Sequence, residues 1–183
     1  NKWFCNNYLQ NFGVKMARSI ELNKGEKVVP SEITRQLGLP LFVKPNAGGS
    51  SFGITKVKSE DELLPALERA WEESKDALVE EFIDGTEFTC GLVQLKNETL
   101  IFPVTEVIPK NEFFDYEAKY TPGATDEITP ARLPENLFKK CQELSAEIYK
   151  KCNCSGIARI DYILKDGIFY FLEVNTIPGM TET

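Results

Sequence analysis

The chain has 183 residues, of which 42% are hydrophobic and 27% are charged. This composition is typical of a soluble protein with one sizeable core or two small lobes packed together. The formal net charge of −7 argues against a general nucleic-acid binder and against an anionic membrane surface as partner. The sequence contains no histidine, which excludes Ser-His-Asp, Cys-His and histidine-ligated zinc chemistry.

The lack of a recognisable targeting signal and the pattern of the cysteines together predict a cytoplasmic protein. No apolar run is long enough to span a bilayer, and no signal peptide is recognisable. The five cysteines are odd in number and lack a zinc-binding spacing, so we expect reduced thiols. The chain begins at Asn1 without a methionine and stops in mid-turn at Thr183, so we expect it to be a piece of a longer protein.

In chain order, the periodicity predicts helices and strands in mixed succession. Predicted helices cover residues 2–11, 30–37, about 59–73 and 134 onward, and predicted strands cover 14–22, 41–44, 54–57, 77–83, 88–95, 99–108, 157–164 and 168–174. Ser59 and Glu62 have the spacing of a capping box. Residues 109–134 lack periodicity, which predicts a long functional or disordered loop. Hairpins interrupted by helices indicate an α+β fold in two lobes, with the break near Asp84-Gly85.

The last predicted hairpin carries a cluster of polar residues. Arg159 and Asp161 are two residues apart on the first strand, and Glu173 and Asn175 are two apart on the second, so each pair shares a face. If the strands pair across a turn at Lys165-Asp166-Gly167, two carboxylates, an amide oxygen and a guanidinium converge. Hard oxygen ligands of this kind suit Mg²⁺. The alternative is a solvated sheet face with ordinary surface ion pairs.

A glycine-rich loop, PNAGGSSFG, directly follows Lys44. Its small residues let backbone N–H groups approach an anion closely, and its two serines add hydroxyl donors. The loop is neither a Walker A motif nor a GxGxxG motif, because a predicted strand follows it instead of a helix. It indicates a flap over nucleotide phosphates, although glycine-rich hairpins without such a function are equally common.

Four segments, LFVKPNAGGSSFGI, VEEFIDGTEF, FFDYEAKY and ARIDY…FLEVNTIPGMT, together resemble the D-alanine–D-alanine ligases of the ATP-grasp superfamily. The resemblance implies an α+β ATP-grasp fold, in which two lobes each contribute an antiparallel sheet with flanking helices and ATP lies between them. It implies a central subdomain at 1–84 with the phosphate flap, and a truncated C-terminal subdomain at 85–183 with a lid loop and a magnesium site.

The resemblance also implies roles for individual residues. The implied ATP-binding residues are Lys2, Lys44, Ser51, Glu80, Glu81, Ile83, Glu87 and Lys119. Among these, Lys2 and Lys44 bind phosphates, Glu80 binds the adenine amino group and Glu87 binds the ribose. The implied ligands of two magnesium ions, which manganese could replace, are Asp161, Glu173 and Asn175. The implied catalytic groups are Arg159 and the backbone of Gly179, which stabilise the acyl phosphate and the tetrahedral species, and Tyr120 of the lid, which bonds Ser50.

The implied reaction is the ATP-dependent ligation of two D-alanines through a D-alanyl phosphate, for peptidoglycan precursors. Related D-alanine–D-lactate ligases commonly carry a lid histidine where this chain has Tyr120, so the dipeptide-forming kind is favoured. Another ATP-grasp carboxylate–amine ligase and a non-catalytic ATP-binding module remain alternatives, and the lid could be only a mobile surface loop. The resemblance implies a homodimer at full length, with no nucleic-acid or membrane partner. Because the family's N-terminal domain would precede Asn1, we expect this chain alone to be inactive.

Overall fold

The structure is a computed structural model that describes residues 1–49, 52–96, 98–109 and 125–179. The helices of this part are α1 (Lys2–Gln10), α2 (Pro30–Leu37), α3 (Leu63–Glu73) and α4 (Glu135–Lys151), with a 3₁₀ turn at Glu60–Glu62. The strands are β1 (Ser19–Asn23), β2 (Leu41–Pro45), β3 (Thr55–Val57), β4 (Asp76–Glu81), β5 (Thr86–Gln94), β6 (Thr99–Pro109), β7 (Thr125–Ile128), β8 (Ile157–Lys165) and β9 (Ile168–Asn175).

The strands form two sheets, which confirms the predicted α+β class. The first sheet has the order β1-β4-β2-β3 and the second has the order β7-β6-β5-β8-β9. Every pairing between neighbouring strands in these sheets is antiparallel. Within the described residues, no helix is both long enough and apolar enough to cross a membrane.

The first sheet is covered by helices on one face only. Leu41 and Val43 of β2 are fully buried in a core shared with α2 and α3. Because side chains alternate along a strand, Phe42 and Lys44 point to the opposite face. The buried residues of α3 recur at helical spacing and are Leu63, Ala66, Leu67, Ala70 and Trp71. Each fully buried leucine of this kind contributes about 1.5–3 kcal/mol to folding.

The second sheet packs against α4 in the same one-sided way. Ile160 and Tyr162 of β8 are fully buried on the helix side, and Arg159 and Asp161 alternate with them. The Tyr162 hydroxyl lies 2.9 Å from the Ser145 hydroxyl of α4, so a buried polar group is satisfied within the core. The two sheets therefore each leave a face without helices.

The first helix connects the two sheets. Leu9 of α1, together with Val14 and Met16, packs into the core of the second sheet. Residues 14–22 were predicted as one strand, and this prediction is wrong for residues 14–18, since β1 is Ser19–Asn23. The apolar side chains of residues 14 and 16 are buried as the pattern indicated, but against the other sheet, where Met16 forms a parallel bridge with Phe171.

Two further local predictions are wrong. The Ser59 side chain makes no capping hydrogen bond, and Glu62 accepts instead from the Lys58 amide at 2.7 Å, so the capping box does not form. Strand β7 lies within the stretch predicted to lack regular structure. It forms the edge of its sheet and none of its four residues is buried, so no alternation marks it in the sequence.

The predicted β8–β9 hairpin is confirmed, with a two-residue turn. Asp166 and Gly167 have φ angles of 50° and 74°, which is the pattern of a type I′ turn. The right-handed twist of the two strands favours this turn, and Asp-Gly is one of its preferred sequences. The turn therefore sets the initial register of the hairpin that carries Arg159 and Asp161.

Candidate functional site

A cleft of about 480 Å³ lies between the two sheets, where their uncovered faces meet. Its apolar lining comes from strands of both sheets and from segments beside them, and includes Ala17, Phe42, Ile54, Phe82, Ile83, Val107, Ile108, Pro109, Ile163 and Leu172. The ring centroids of Phe42 and Phe82 are 5.9 Å apart, and the Lys56 ammonium lies 4.3 Å from the Phe82 centroid. A flat ring such as a nucleobase suits an apolar cleft of this size.

A buried ion pair lies on the cleft side of the first sheet. The Lys44 ammonium on β2 lies 2.5 Å from the Glu80 carboxylate on the neighbouring strand β4, and the two side chains are only 10% and 9% exposed. The other Glu80 oxygen is 3.5 Å from the Asn6 amide nitrogen of α1. Both predicted ATP-binding residues therefore line the cleft while neutralising each other.

Lys2 is held beside the glycine-rich loop by Asn46. The Lys2 amide donates to the Asn46 carbonyl oxygen at 3.0 Å, and the Trp3 amide donates to the Asn46 side-chain oxygen at 2.8 Å. Asn46 itself is fully buried and donates to Asp76 at 2.7 Å. The Lys2 ammonium donates to the Gly48 carbonyl at 3.2 Å. The buried Asn46 side chain and carbonyl thus position the Lys2 ammonium at the predicted phosphate loop.

The polar residues of the final hairpin converge as the sequence predicts. Arg159 grips both oxygens of Asp161, with Nε donating to Oδ1 at 2.8 Å and Nη2 donating to Oδ2 at 3.0 Å. Asn175 of β9 donates through Nδ2 to Oδ2 of Asp161 at 2.8 Å. Asp161 is 4% exposed, and its hydrogen bond raises the pKa of Arg159. The interpretation as a solvated sheet face is wrong for this buried carboxylate.

A β-bulge aims Glu173 into the cleft. Tyr162 pairs with Phe171 and Asp161 pairs with Glu173, so Leu172 is the extra residue of β9. Without the bulge, Asp161 would pair with Leu172, and Glu173 would point into the core. Because of it, Glu173 lines the cleft together with Asp161.

Glu173 also borders a second cavity of about 340 Å³. This cavity lies under the start of α1 and is lined in part by Lys2, Asn6, Gly49, Asn175 and Ile177. The predicted cation ligands therefore stand between the two spaces.

The other predicted nucleotide residues occupy the connection between the sheets. Glu81, Ile83 and Glu87 all line the cleft. The Glu81 carboxylate accepts from the Arg18 amide at 2.9 Å and from Arg18 Nε at 2.6 Å. The Glu81 amide donates to the Arg18 carbonyl at 3.0 Å. The carboxylate and the amide of Glu81 are thus both bonded to Arg18, just before β1. A ligand here would have to bind backbone groups other than the Glu81 amide.

Four predicted site residues are not described by the structure, and a fifth, Gly179, is described but lies outside the two cavities. Ser50, Ser51, Lys119 and Tyr120 fall outside the described residues. Gly179, the last residue described, is exposed and is not among the residues that line the two cavities.

A second arginine–carboxylate pair, which was not predicted from the sequence, lies in the cleft wall. Arg132 donates through Nε and Nη2 to the two oxygens of Glu106, each at 2.8 Å. These hydrogen bonds lower the pKa of Glu106, which is 8% exposed. The available signal was a lone acid within the apolar run of β6, where a buried carboxylate requires a partner.

The hairpin oxygens fit a hard divalent cation. Asp161 and Glu173 are cross-strand partners, and Asn175 pairs with Arg159 two residues further along each strand. Among the described residues, no three carboxylate or thiol groups are arranged to hold a metal ion. Two carboxylates and an amide oxygen nevertheless match Mg²⁺, which takes few protein ligands and completes its shell with water and phosphate oxygens.

Comparison with known proteins identifies the family. The family model described as "D-ala D-ala ligase C-terminus" matches residues 8–183. The D-alanine–D-alanine ligase of Phocaeicola vulgatus is 50% identical over 184 residues, which cover all of this chain and 56% of that protein. The chain therefore spans about half the length of the curated relatives it matches.

Solved structures give the same result. The structure of VanG D-Ala:D-Ser ligase from Enterococcus faecalis matches with a TM-score of 0.86 and 37% identity, covering 97% of this chain and 52% of that one. A D-alanine–D-alanine ligase from Bacillus anthracis complexed with ATP matches with a TM-score of 0.79 and 34% identity, covering 99% of this chain and 56% of that one. Together with its two antiparallel sheets, these matches show that the chain belongs to the D-alanine–D-alanine ligase C-terminal family.

Proposed function

We propose that this chain is the ATP- and metal-binding part of a D-alanine–D-alanine ligase. The observation that carries the proposal is the cleft, which joins an apolar slot to the Asp161–Glu173 carboxylates of one hairpin. Lys44 of the first sheet lines the same cleft. A nucleotide triphosphate has the matching composition, namely a flat base at one end and a metal-bound anion at the other.

The base of ATP would lie against Phe42, Phe82 and Ile83. Glu80 would accept from the adenine amino group, and Glu87 would accept from the ribose hydroxyls. Lys2 and Lys44 would bind phosphate oxygens, and Ser51 and Lys119 would join them. Because Lys44 is paired with Glu80 at 2.5 Å, ATP would exchange one charge-assisted contact of this lysine for another.

The acidic end would hold two Mg²⁺ ions, or Mn²⁺, through Asp161, Glu173 and Asn175. When bound, such ions neutralise charge on the phosphoryl group that is transferred. The amide of Asn175 adds an oxygen ligand without a third negative charge. Arg159 is the guanidinium of the hairpin, and with the backbone of Gly179 it would stabilise the negatively charged intermediates.

The proposed reaction has two steps. A carboxylate oxygen of the first D-alanine attacks the γ-phosphorus of ATP, the bond from phosphorus to the bridging oxygen breaks, and ADP leaves. The amine of the second D-alanine then attacks the acyl phosphate carbonyl, inorganic phosphate leaves, and the amine loses a proton. Tyr120 and Ser50 would close a lid over this site, because water would otherwise hydrolyse the acyl phosphate.

The two subdomains of the proposal are residues 1–84 and 85–183. The first sheet ends at Glu81 and the second begins at Thr86, which supports a boundary at Asp84-Gly85. The packing of α1 against the second sheet is an exception, since that helix precedes the boundary in sequence.

One structural match favours D-serine as an alternative second substrate, because a D-Ala:D-Ser ligase matches with a TM-score of 0.86. The Bacillus anthracis D-alanine–D-alanine ligase has a similar TM-score of 0.80, so backbone similarity does not separate the two. The curated relatives favour D-alanine, because the matched proteins from Phocaeicola vulgatus and Bacteroides fragilis, at 50% and 48% identity, are both named D-alanine–D-alanine ligase.

Isothermal titration of this chain with ATP and Mg²⁺ tests the nucleotide and metal assignment. We expect binding that weakens about tenfold or more when Mg²⁺ is removed or when Glu173 is changed to Gln, since each loses a charge-assisted contact. Glu135→Gln is the matched control, because Glu135 is 82% exposed in a surface pair with Lys139. ATP binding that ignores both Mg²⁺ and Glu173→Gln would remove the metal site.

The ligase assignment needs a chain that also contains the part found in the full-length relatives. That protein, supplied with ATP and D-alanine, D-serine or D-lactate in turn, is analysed for products by mass spectrometry. We expect D-alanyl-D-alanine as the main product. ATP binding without any ligation product would favour a non-catalytic module.

A further inference from the structure

The Asp161 carboxylate accepts three described hydrogen bonds from its own hairpin. Arg159 donates one hydrogen bond to each carboxylate oxygen, and Asn175 donates a second hydrogen bond to Oδ2. A carboxylate offers about four such positions in total. Since Asp161 is only 4% exposed, the donors that surround it also block the approach to Oδ2.

A divalent cation and the Arg159 guanidinium would repel each other at this carboxylate. Arg159 Nε and Nη2 lie 2.8 and 3.0 Å from the two oxygens. A cation on Oδ2 would therefore stand a few ångströms from a positive charge in a poorly hydrated site. An arginine does not relieve this repulsion by losing a proton, so the side chain has to move.

The neighbouring ligands are placed differently. Asn175 donates its Nδ2 to Asp161, so the planar amide turns its Oδ1 away from that carboxylate. Glu173 and Asn175 both border the second cavity, whereas Asp161 lines only the main cleft of the two. Glu173 and Asn175 thus border a cavity that the Arg159–Asp161 pair does not line.

We propose that Arg159 and a divalent cation compete for Asp161, so that cation binding releases the Arg159 guanidinium into the cleft. The inference rests on the proposed function, because it takes Asp161 as a cation ligand. Glu173 and Asn175 receive the cation first, and Asp161 becomes a ligand when Arg159 lets go. Until then, Arg159 is a positioning residue that keeps a buried carboxylate paired and oriented.

This exchange makes Arg159 available to a phosphate only after the cation has entered. The pairing with Asp161 covers the guanidinium edge that Nε and Nη2 form, which is the edge that binds two oxygens of a phosphate or carboxylate at once. The nucleotide would then meet the full positive charge of the site only in its metal-bound form. ATP without a cation would not gain the Arg159 contact.

Titration of this chain with Mn²⁺ alone, followed by the electron paramagnetic resonance signal of free Mn²⁺, tests the competition. Arg159→Lys keeps the positive charge but loses the two-point grip on Asp161. We expect this variant to bind Mn²⁺ about five- to tenfold more tightly than the unmodified chain. Arg132→Lys breaks the equivalent grip on Glu106 and is the matched control, with unchanged Mn²⁺ affinity. Equal or weaker binding by Arg159→Lys would overturn the competition, since repulsion alone depends only on the retained charge.

A second measurement is made on the unmodified chain, and Arg159→Lys serves only to assign its signal. In ¹⁵N-labelled chain, the Arg159 Nε–H signal, assigned by its absence in Arg159→Lys, reports the hydrogen bond to Asp161. We expect its exchange with water to accelerate about tenfold or more at saturating Mg²⁺, and exchange that stays unchanged would refute the release.

The metal assignment is tested separately by Glu173→Gln, which must weaken Mn²⁺ binding. If Glu173→Gln has no effect, or if the unmodified chain binds no Mn²⁺, the proposed metal site fails and this inference fails with it.

Discussion

Replacing Lys44 with Met should destabilise the protein strongly even without nucleotide. The change removes the cation that lies 2.5 Å from the Glu80 carboxylate, in a pair that is 10% and 9% exposed. Among the described residues, the hydrogen bond that remains for Glu80 comes from the Asn6 amide at 3.5 Å, which is at the limit of a hydrogen bond. Breaking one side of a buried pair costs about 3–5 kcal/mol. Because the Asn6 amide compensates little, we expect a loss of about 3 kcal/mol.

The assay is urea denaturation at neutral pH, followed by circular dichroism in the absence of nucleotide. In thermal unfolding, the same loss corresponds to a fall in Tm of roughly 6–12 °C for a chain of this size. The double variant Lys44→Met/Glu80→Gln should recover most of the stability, since it leaves no unpaired buried charge. Lys139→Met is the control, because it breaks an ion pair whose side chains are 65% and 82% exposed and should cost less than about 1 kcal/mol.

Two results would contradict this prediction: a Lys44→Met variant within about 0.5 kcal/mol of the unmodified chain, or a double variant no more stable than the single one. Either result would mean that water or a shifted side chain neutralises Glu80 in place of Lys44. The cleft wall would then be looser than a 2.5 Å contact implies.

Three further predictions concern other parts of the chain. Gly85→Ala should cost about 1–3 kcal/mol in urea denaturation, because its Cβ would lie 2.4 Å from a backbone oxygen of β8; unchanged stability would show that the segment between the sheets can shift. At pH 8 iodoacetamide should label Cys5 before Cys90, read by peptide mass spectrometry, since a neighbouring thiol lowers the pKa of Cys5 and burial raises the pKa of Cys90 to about 11. The reverse order would contradict these environments. Arg132→Met should make the free energy of unfolding depend less on pH in the acid range. In the unmodified chain Arg132 lowers the pKa of Glu106, which adds stability above the ordinary pKa of 4.5, and this stability is lost as the pH falls through the lowered pKa of the folded state. An unchanged pH dependence would refute this prediction.

Local patterns predicted most elements because they depend on neighbours in sequence. The helix at Pro30–Leu37 and the β8–β9 hairpin follow from turn residues and spacing within a few positions. The same reasoning placed Arg159 and Asp161 on one face, where the structure has them in contact. Chemistry that is local in the chain could therefore be predicted without the fold.

The strand register that brings the hairpin residues together could not be predicted in the same way. Simple pairing from the Asp166-Gly167 turn would set Asp161 opposite Leu172, and only the bulge brings Glu173 opposite Asp161. A bulge changes the register of two strands together, and neither strand alone signals it. The expected convergence is present, but it depends on an extra residue that the alternation of β9 does not reveal.

Contacts between residues that are distant in the chain also could not be predicted from the sequence. Lys44 and Glu80 meet because β2 and β4 are neighbours in their sheet, and this strand order is set by the packing of the whole lobe. Glu106 and Arg132 meet through the return of the chain after β7. In each case the sequence shows a charge within an apolar strand, which indicates a partner but does not name it.

The double attachment of α1 has a consequence for recombining related ligases. Leu9 lies in the core of the second sheet, while the amides of Lys2 and Trp3 are held by Asn46 beside the first sheet. A chimera joined at Gly85 would set one parent's first helix against the other parent's β8–β9 core, where mismatched volumes leave cavities or clashes. The unit that can be transplanted intact is therefore discontinuous in the gene, because the beginning of the chain has to be inherited with its end.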